Sequence, residues 1–135
     1  LKTIKSIVNQ KDNVKLKVIL ETGELEKLQD VYSASMLAME CGADFIKTST
    51  GKISVGADKY SSAVMMIAIR DFLKENNYTK LVGFKAAGGV RKITQVLEIV
   101  SLFYFFISKE YFNESLFRFG CSNLKDEIIN NLKKI

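Results

Sequence analysis

Three lysines stand within or at the end of short apolar segments that recur along the sequence: Lys17, Lys47 and Lys85. Runs of β-branched and aromatic residues of this length predict strands, which places the lysines at or near strand ends. In parallel α/β folds the carboxyl ends of the strands face the ligand-binding crevice. A single lysine there is usually a solvated charge, but three in succession predict side chains that converge on one pocket.

A cluster of lysines can make one amine nucleophilic. At an ordinary pKa of about 10.4, only about one lysine in a few thousand is neutral at pH 7. Neighbouring cations and partial burial both penalise the protonated form. The residue types therefore favour covalent chemistry on an amine, while the spacing leaves open which of the three lysines reacts.

The loops after the second, third and fourth predicted strands all contain glycine, and the first and last of them also carry hydroxyl side chains. Backbone N–H groups in such turns, or just before a helix, can bind an anion such as phosphate. The three candidate loops are 48–52, with Gly51 and Lys52, then Gly88-Gly89, and 120–122.

A strand, a loop and a helix recur four times along the chain. The predicted strands cover residues 14–20, 43–47, 81–85 and 116–119, and helical patterns follow at 25–40, about 63–75, from about 92, and up to 134. Near-continuous apolar strands that alternate with helices indicate parallel βα units covered on both faces, and thus an α/β fold. Residues 1–8 resemble the end of an earlier helix, so the chain is expected to begin within a larger repeat.

Composition narrows the function further. With 135 residues, 47% of them hydrophobic, the chain can bury one domain-sized core. The net charge of +5 comes from scattered lysines, which argues against a nucleic-acid surface. Histidine is absent, which excludes catalysis that relies on imidazole, and the two cysteines are too far apart to suggest a metal or redox pair. The longest apolar run, 99–107, is too short to span a membrane.

Two segments, 42–52 and 82–91, closely resemble signature segments of the deoxyribose-phosphate aldolases, and 16–25 and 118–122 match further segments of that family. The resemblance implies a (β/α)8 TIM barrel, of which residues 1–135 supply the C-terminal half with about the last four βα units. It also implies a class I aldolase without metal or cofactor. Such an enzyme reversibly cleaves 2-deoxy-D-ribose 5-phosphate to acetaldehyde and D-glyceraldehyde 3-phosphate through a lysine Schiff base.

By position in the matching segments, Lys47 is similar to the Schiff-base lysine and Lys85 to the neighbouring cation that depresses its pKa. Lys17 is similar to a further active-site lysine of the family. The resemblance assigns phosphate binding to the loop residues Gly51, Lys52, Gly88, Gly89 and Ser122. The expected partner is a small phosphosugar, with no nucleic acid and no membrane, and the expected assembly and location are a homodimer in the cytoplasm.

The sequence departs from the family pattern in ways that support a second hypothesis. Proton transfer in the family is assigned to an aspartate on an earlier strand, and no residue here corresponds to it, since Asp44 belongs to the signature itself. Ala86 stands where Pro is common, and Asn123 where a second Ser is usual. The alternative is a non-catalytic or weakly active phosphosugar-binding half barrel, which would assemble with itself or a partner to cover its open edges.

Overall fold

The computed structural model describes residues 1–122 and 124–133. Within these ranges the chain alternates strands with helices, and 3₁₀ turns occur at Thr22–Glu24 and Lys109–Tyr111. The helices and strands are α1 Lys2–Val8, β1 Lys17–Ile19, α2 Leu28–Glu40, β2 Phe45–Lys47, α3 Lys59–Glu75, β3 Gly83–Ala87, α4 Ile93–Phe106, β4 Phe117–Gly120 and α5 Leu124–Leu132.

The four strands form one parallel sheet in sequence order, β1-β2-β3-β4. Their register aligns Ile19 with Lys47, Lys47 with Lys85, and Lys85 with Arg118. Paired residues of neighbouring strands point to the same face of a sheet. The three cations therefore lie side by side in one row, which we call the cation row: Lys47, Lys85 and Arg118.

The opposite face of the sheet carries the core. Ile46 and Phe84 are fully buried there, and Phe117 packs with them against α2, α3 and α4. Phe103 of α4 meets Phe117 edge-on, with 4.8 Å between ring centroids. The helices that form this core therefore pack on one face of the sheet. Successive strands in sequence order with all crossover helices on one side give the curvature of a barrel wall.

The structure also corrects the placement of Lys17. This residue begins β1 and pairs with Phe45, so it lies one row nearer the amino ends of the strands than Lys47. Just before Lys17, a side chain takes the place of one backbone acceptor. The backbone N–H of Leu16 donates to Asp44 Oδ2 at 2.7 Å, and Lys5 Nζ forms an ion pair with the same oxygen at 2.5 Å.

Two other boundaries differ from the sequence patterns. Strand β3 begins at Gly83 and runs to Ala87, so Lys85 occupies its middle and not its end. Helix α2 begins at Leu28, three residues after the predicted start, because the 3₁₀ turn at Thr22–Glu24 intervenes. No helix in the two described ranges has both the length and the apolar character needed to cross a bilayer.

Replacement of Phe84 by alanine tests the assignment of the core face. Phe84 is fully buried, so Phe84→Ala should lower the free energy of unfolding by about 3–5 kcal/mol. Phe105→Ala is the matched control, because Phe105 is 81% exposed and its loss should cost less than about 0.5 kcal/mol. Urea unfolding followed by circular dichroism measures both variants. Equal effects would contradict the assignment of the core to this face.

Candidate active site

Thr48 joins the carboxyl ends of β2 and β3 directly after Lys47. Its hydroxyl donates to the carbonyl oxygen of Ala87 at 2.7 Å and accepts from the N–H of Ala87 at 2.9 Å. The residue is completely buried. Both polar groups of Ala87 are thus satisfied by one side chain, which fixes the height of Lys47 relative to β3.

The loops after β2 and β3 meet backbone to backbone. A Cβ atom at Gly56 would lie 2.3 Å from the carbonyl oxygen of Gly88, and the N–H of Ala57 donates to that same oxygen at 2.8 Å. Gly88 has φ +89°, a conformation that residues with side chains rarely adopt. The close approach therefore requires glycine at both positions, and it leaves the backbone of the second loop facing the first.

A carboxylate anchors the loop after β2. Glu21 accepts hydrogen bonds from the backbone N–H of Thr50 at 3.1 Å and from its hydroxyl at 2.5 Å. The pKa of Glu21 is lowered below its ordinary value of 4.5 by hydrogen bonds from the side chain of Ser49, which has the largest effect, and from that of Thr50. The positive charge of Lys47 acts in the same direction. The ionised form of Glu21 thus holds the loop that follows Lys47.

The aromatic ring of Phe45 lies on the open face of the sheet between two cations. Lys17 Nζ is 5.6 Å from the ring centroid, and the Cζ of Arg118 is 4.6 Å from it. Burial lowers the pKa of Lys17, and the positive charges of Lys85, Arg118 and Lys47 lower it further. These three cations therefore lie within electrostatic range of the Lys17 amine.

A pocket of about 360 Å³ opens at the carboxyl ends of β2, β3 and β4. Its lining combines one amine with loop backbone and one guanidinium. The residues are Lys47, Thr50, Gly51, Ala87, Gly88, Gly89, Val90, Arg91, Gly120, Cys121 and Ser122. A pocket with this lining can accept an anion at its glycine-rich end and place the rest of a ligand near the Lys47 amine.

The structure brings together most, but not all, of the residues singled out in the sequence. Lys47 and four of the five candidate phosphate ligands line the pocket. Lys52 is exposed and lies outside the lining. Lys85 lies beside the pocket, because its side chain passes over Gly120. A Cβ atom at Gly120 would lie 2.9 Å from Lys85 Cε. The departure noted at Asn123 lies outside the described residues.

Three charged residues near the lysines were missed by the sequence reasoning: Glu21, Arg91 and Arg118. Arg91 lines the pocket directly after the Gly88-Gly89 loop, so its position in the signature segment was a usable signal. Arg118 stands two residues before Gly120 in the fourth strand, and period-2 alternation would have placed both on one face. Nothing in the local pattern around Glu21 indicated its contact with Thr50.

A larger groove of about 750 Å³ lies between α3 and α4, on the outer side of the helices. Its lining includes the exposed side chains of Tyr60, Leu97 and Phe105. None of the lysines aligned on the sheet lines it, so it does not serve the amine chemistry. Within residues 1–122 and 124–133, no three Cys, Asp or Glu side chains converge in a way that could hold a metal ion.

The fold and the lysine-bearing face define this chain as part of a parallel βα-barrel of the TIM type. Residues 1–101 match the sequence model of the "DeoC/LacD family aldolase", and the chain belongs to this family. The resemblance to aldolases read from the sequence is thereby confirmed.

Known relatives agree with this assignment. Deoxyribose-phosphate aldolase of Bos taurus is 48% identical over 113 residues, which make up 84% of this chain and 35% of that protein. The Homo sapiens protein of the same name is 47% identical over the same shares. The chain thus spans about a third of the length of these curated relatives.

Solved structures show the same fold. A "putative deoxyribose-phosphate aldolase" from Toxoplasma gondii aligns with a TM-score of 0.82 at 23% identity, over 98% of this chain and 50% of that one. A protein of the same description from Coccidioides immitis aligns with a TM-score of 0.67 at 25% identity, over 96% and 44%. The prediction that the chain supplies about half of a TIM barrel is confirmed at the level of the fold.

Replacement of Thr48 by valine tests the bridge between β2 and β3. Valine has nearly the same shape but leaves the N–H and C=O of Ala87 without their partner, at a cost of about 2–4 kcal/mol in the free energy of unfolding. Thr48→Ser keeps the hydroxyl and loses one methyl group, so it should cost about 1 kcal/mol. Chemical denaturation measures both, and a serine variant less stable than the valine variant would refute the bridge.

The titration of Glu21 tests the loop anchor. Because its pKa is lowered in the folded protein, Glu21 stabilises the loop above its ordinary pKa, and this stabilisation is lost as the pH falls through the lowered value. Carboxyl carbon NMR should therefore show a midpoint below 4.5. Thr50→Val should raise it, whereas Thr50→Ser should leave it low. An unshifted midpoint in the parent protein would contradict the anchoring role.

Proposed function

We propose that residues 1–135 form the C-terminal half of a single barrel domain in a class I aldolase. Its reaction would be the reversible cleavage of 2-deoxy-D-ribose 5-phosphate to acetaldehyde and D-glyceraldehyde 3-phosphate. The observation that carries the proposal is the position of Lys47. It is the one amine among the lining residues of the anion-type pocket in the described chain, and it pairs in register with Lys85.

The pocket supports a phosphosugar as the ligand. A phosphate at Gly88, Gly89 and Ser122 would meet backbone N–H groups, while the Arg91 guanidinium adds a permanent charge. The carbon chain of the same ligand would extend toward Lys47 across the pocket. Proximity of a bound carbonyl to one amine is the condition that imine formation requires.

The bond changes follow from amine chemistry. The neutral amine of Lys47 adds to the C1 aldehyde, and the carbinolamine loses water to give a protonated imine. The C2–C3 bond then breaks, its electron pair moves toward the imine nitrogen to form an enamine, and the C3 hydroxyl proton leaves as that carbon becomes the aldehyde of glyceraldehyde 3-phosphate. Protonation at C2 and hydrolysis release acetaldehyde and restore the amine.

One observation favours the second candidate, a phosphosugar-binding half barrel with little or no catalysis. No carboxylate stands among the pocket-lining residues of the described ranges, although the cleavage step needs an acceptor for the C3 hydroxyl proton. Glu21 contacts Thr50 of the pocket lining, but its oxygens already accept hydrogen bonds from that residue. Its lowered pKa also makes it a weak base.

The proposal includes the setting of the protein. Cys41 and Cys121 are both free thiols, which supports a cytoplasmic location because thiols persist in a reducing compartment. A small phosphosugar is the proposed partner. A homodimer stays a prediction.

Reductive trapping tests the role of Lys47. The protein that carries this chain is treated with acetaldehyde and sodium borohydride, then digested and mapped by mass spectrometry. Reduction of the imine should leave an ethyl group on the peptide that contains Lys47. Lys47→Arg retains the charge but cannot form the imine, so it should lose the adduct and at least about a thousandfold in activity with deoxyribose 5-phosphate.

Lys74→Arg is the matched control, because Lys74 lies exposed on α3 and its replacement should change neither adduct nor activity. An adduct spread evenly over many lysines would refute a special role for Lys47. Failure of a folded sample to form any adduct, together with protection of the pocket by inorganic phosphate, would favour the second candidate.

A further inference from the structure

Arg118 occupies the end of the cation row on β4, in register with Lys85. Neighbouring strands of a sheet are about 4.8 Å apart. A guanidinium at this place is therefore close to the amines of the row, and nothing in the chemistry proposed above uses it.

Phe45 determines where that guanidinium sits. A Cβ atom at Gly83 would lie 2.2 Å from the ring of Phe45, so the ring extends from β2 across β3 toward β4. Arg118 then stacks on the ring at 4.6 Å, and Lys17 approaches the same ring from β1 at 5.6 Å. The Phe45 ring thus contacts one cation from β1 and one from β4, on either side of the strands that carry Lys47 and Lys85.

A second contact fixes Arg118 from its own chain. Its Nε donates to the carbonyl oxygen of Glu114 at 2.8 Å. The side chain is exposed, yet the ring and the carbonyl together define its direction. An arginine does not lose its proton in proteins, unlike a lysine, so the charge that it holds here is permanent.

We propose that Arg118 is a positioning residue of the amine site: stacked on Phe45, it holds a permanent positive charge beside Lys17 and the lysines of the cation row. Through the row it acts on the amine chemistry without a contact to the reacting carbon. The role deepens the proposed aldolase function and rests on it for its catalytic meaning, but the electrostatic part stands on the geometry.

Other charged groups share this face of the sheet or the loops beside it with Arg118. They comprise one anion and four cations, namely Glu21 after β1, Lys17 on β1, Lys47 on β2, Lys85 on β3 and Arg91 after β3. Glu21 opposes the effect of Arg118, but its carboxylate is engaged by Thr50. Arg118 differs from these groups in sharing the Phe45 ring with Lys17.

The direct test is the titration of Lys17, whose pKa is lowered in part by Arg118. In protein with ¹³C-labelled lysine, Arg118→Gln should raise the Lys17 midpoint toward the ordinary value of 10.5. Arg118→Lys keeps a cation and should leave the midpoint nearer that of the parent. Arg70→Gln removes an equal charge from the outer helix α3, where Arg70 pairs with Asp71, and should have no effect.

An unchanged Lys17 midpoint in folded Arg118→Gln protein would overturn the proposal. An equal rise in the Arg70→Gln control would also overturn it, since the effect would then come from net charge alone. Neither result depends on aldolase activity.

The catalytic meaning is read from borohydride trapping at Lys47. Arg118→Gln should lower the trapping rate at pH 7 about threefold to tenfold, whereas Arg118→Lys, which keeps a cation at this place, should retain most of the parent rate. An equal loss in Arg118→Lys would assign Arg118 a merely structural role and overturn the proposal. If the parent protein forms no adduct at Lys47, the aldolase function fails, and the Lys17 titration still decides the role of Arg118.

Discussion

The parallel register of the four strands places like charges side by side. Lys47, Lys85 and Arg118 occupy one row on adjacent strands, where cations directly opposite each other destabilise a sheet. The opposite face offsets this cost, because it buries Ile46 and Phe84 completely beneath the helices. Successive residues of each strand therefore alternate between two roles: one face packs in the core and stabilises the fold, and the other carries the charged side chains.

At the carboxyl ends of the strands, single side chains each make two hydrogen bonds to a neighbouring residue. Thr48 satisfies both backbone groups of Ala87 with one hydroxyl, and Glu21 holds Thr50 through its backbone and side chain. Each contact starts from a residue that adjoins β1 or β2. The loop after Lys47 is thus bonded to β3 on one side and to the segment after β1 on the other. These contacts hold the Lys47 amine at a fixed distance from the glycine-rich loop.

The sequence was sufficient for the α/β class, the family and the four strand–helix units, because apolar periodicity and the two signature segments are local features. It was insufficient wherever a distant contact decided the outcome. Strand β1 begins only at Lys17, where the N–H of Leu16 donates to the Asp44 side chain, and no local pattern shows this tertiary contact. The ring of Phe45 reaches Arg118 across Gly83, a relation between three strands that no spacing within one strand contains.

The meeting of Gly56 and Gly88 has a consequence for protein engineering. The two loops contact each other through the backbone atoms of these glycines, so any larger residue at either position pushes the loops apart. A library randomised at these positions would mainly contain variants with a distorted pocket. Arg91 and Cys121 line the same pocket from positions outside that contact. Diversity introduced at those two positions alters what the pocket accepts while the loops that surround it are preserved.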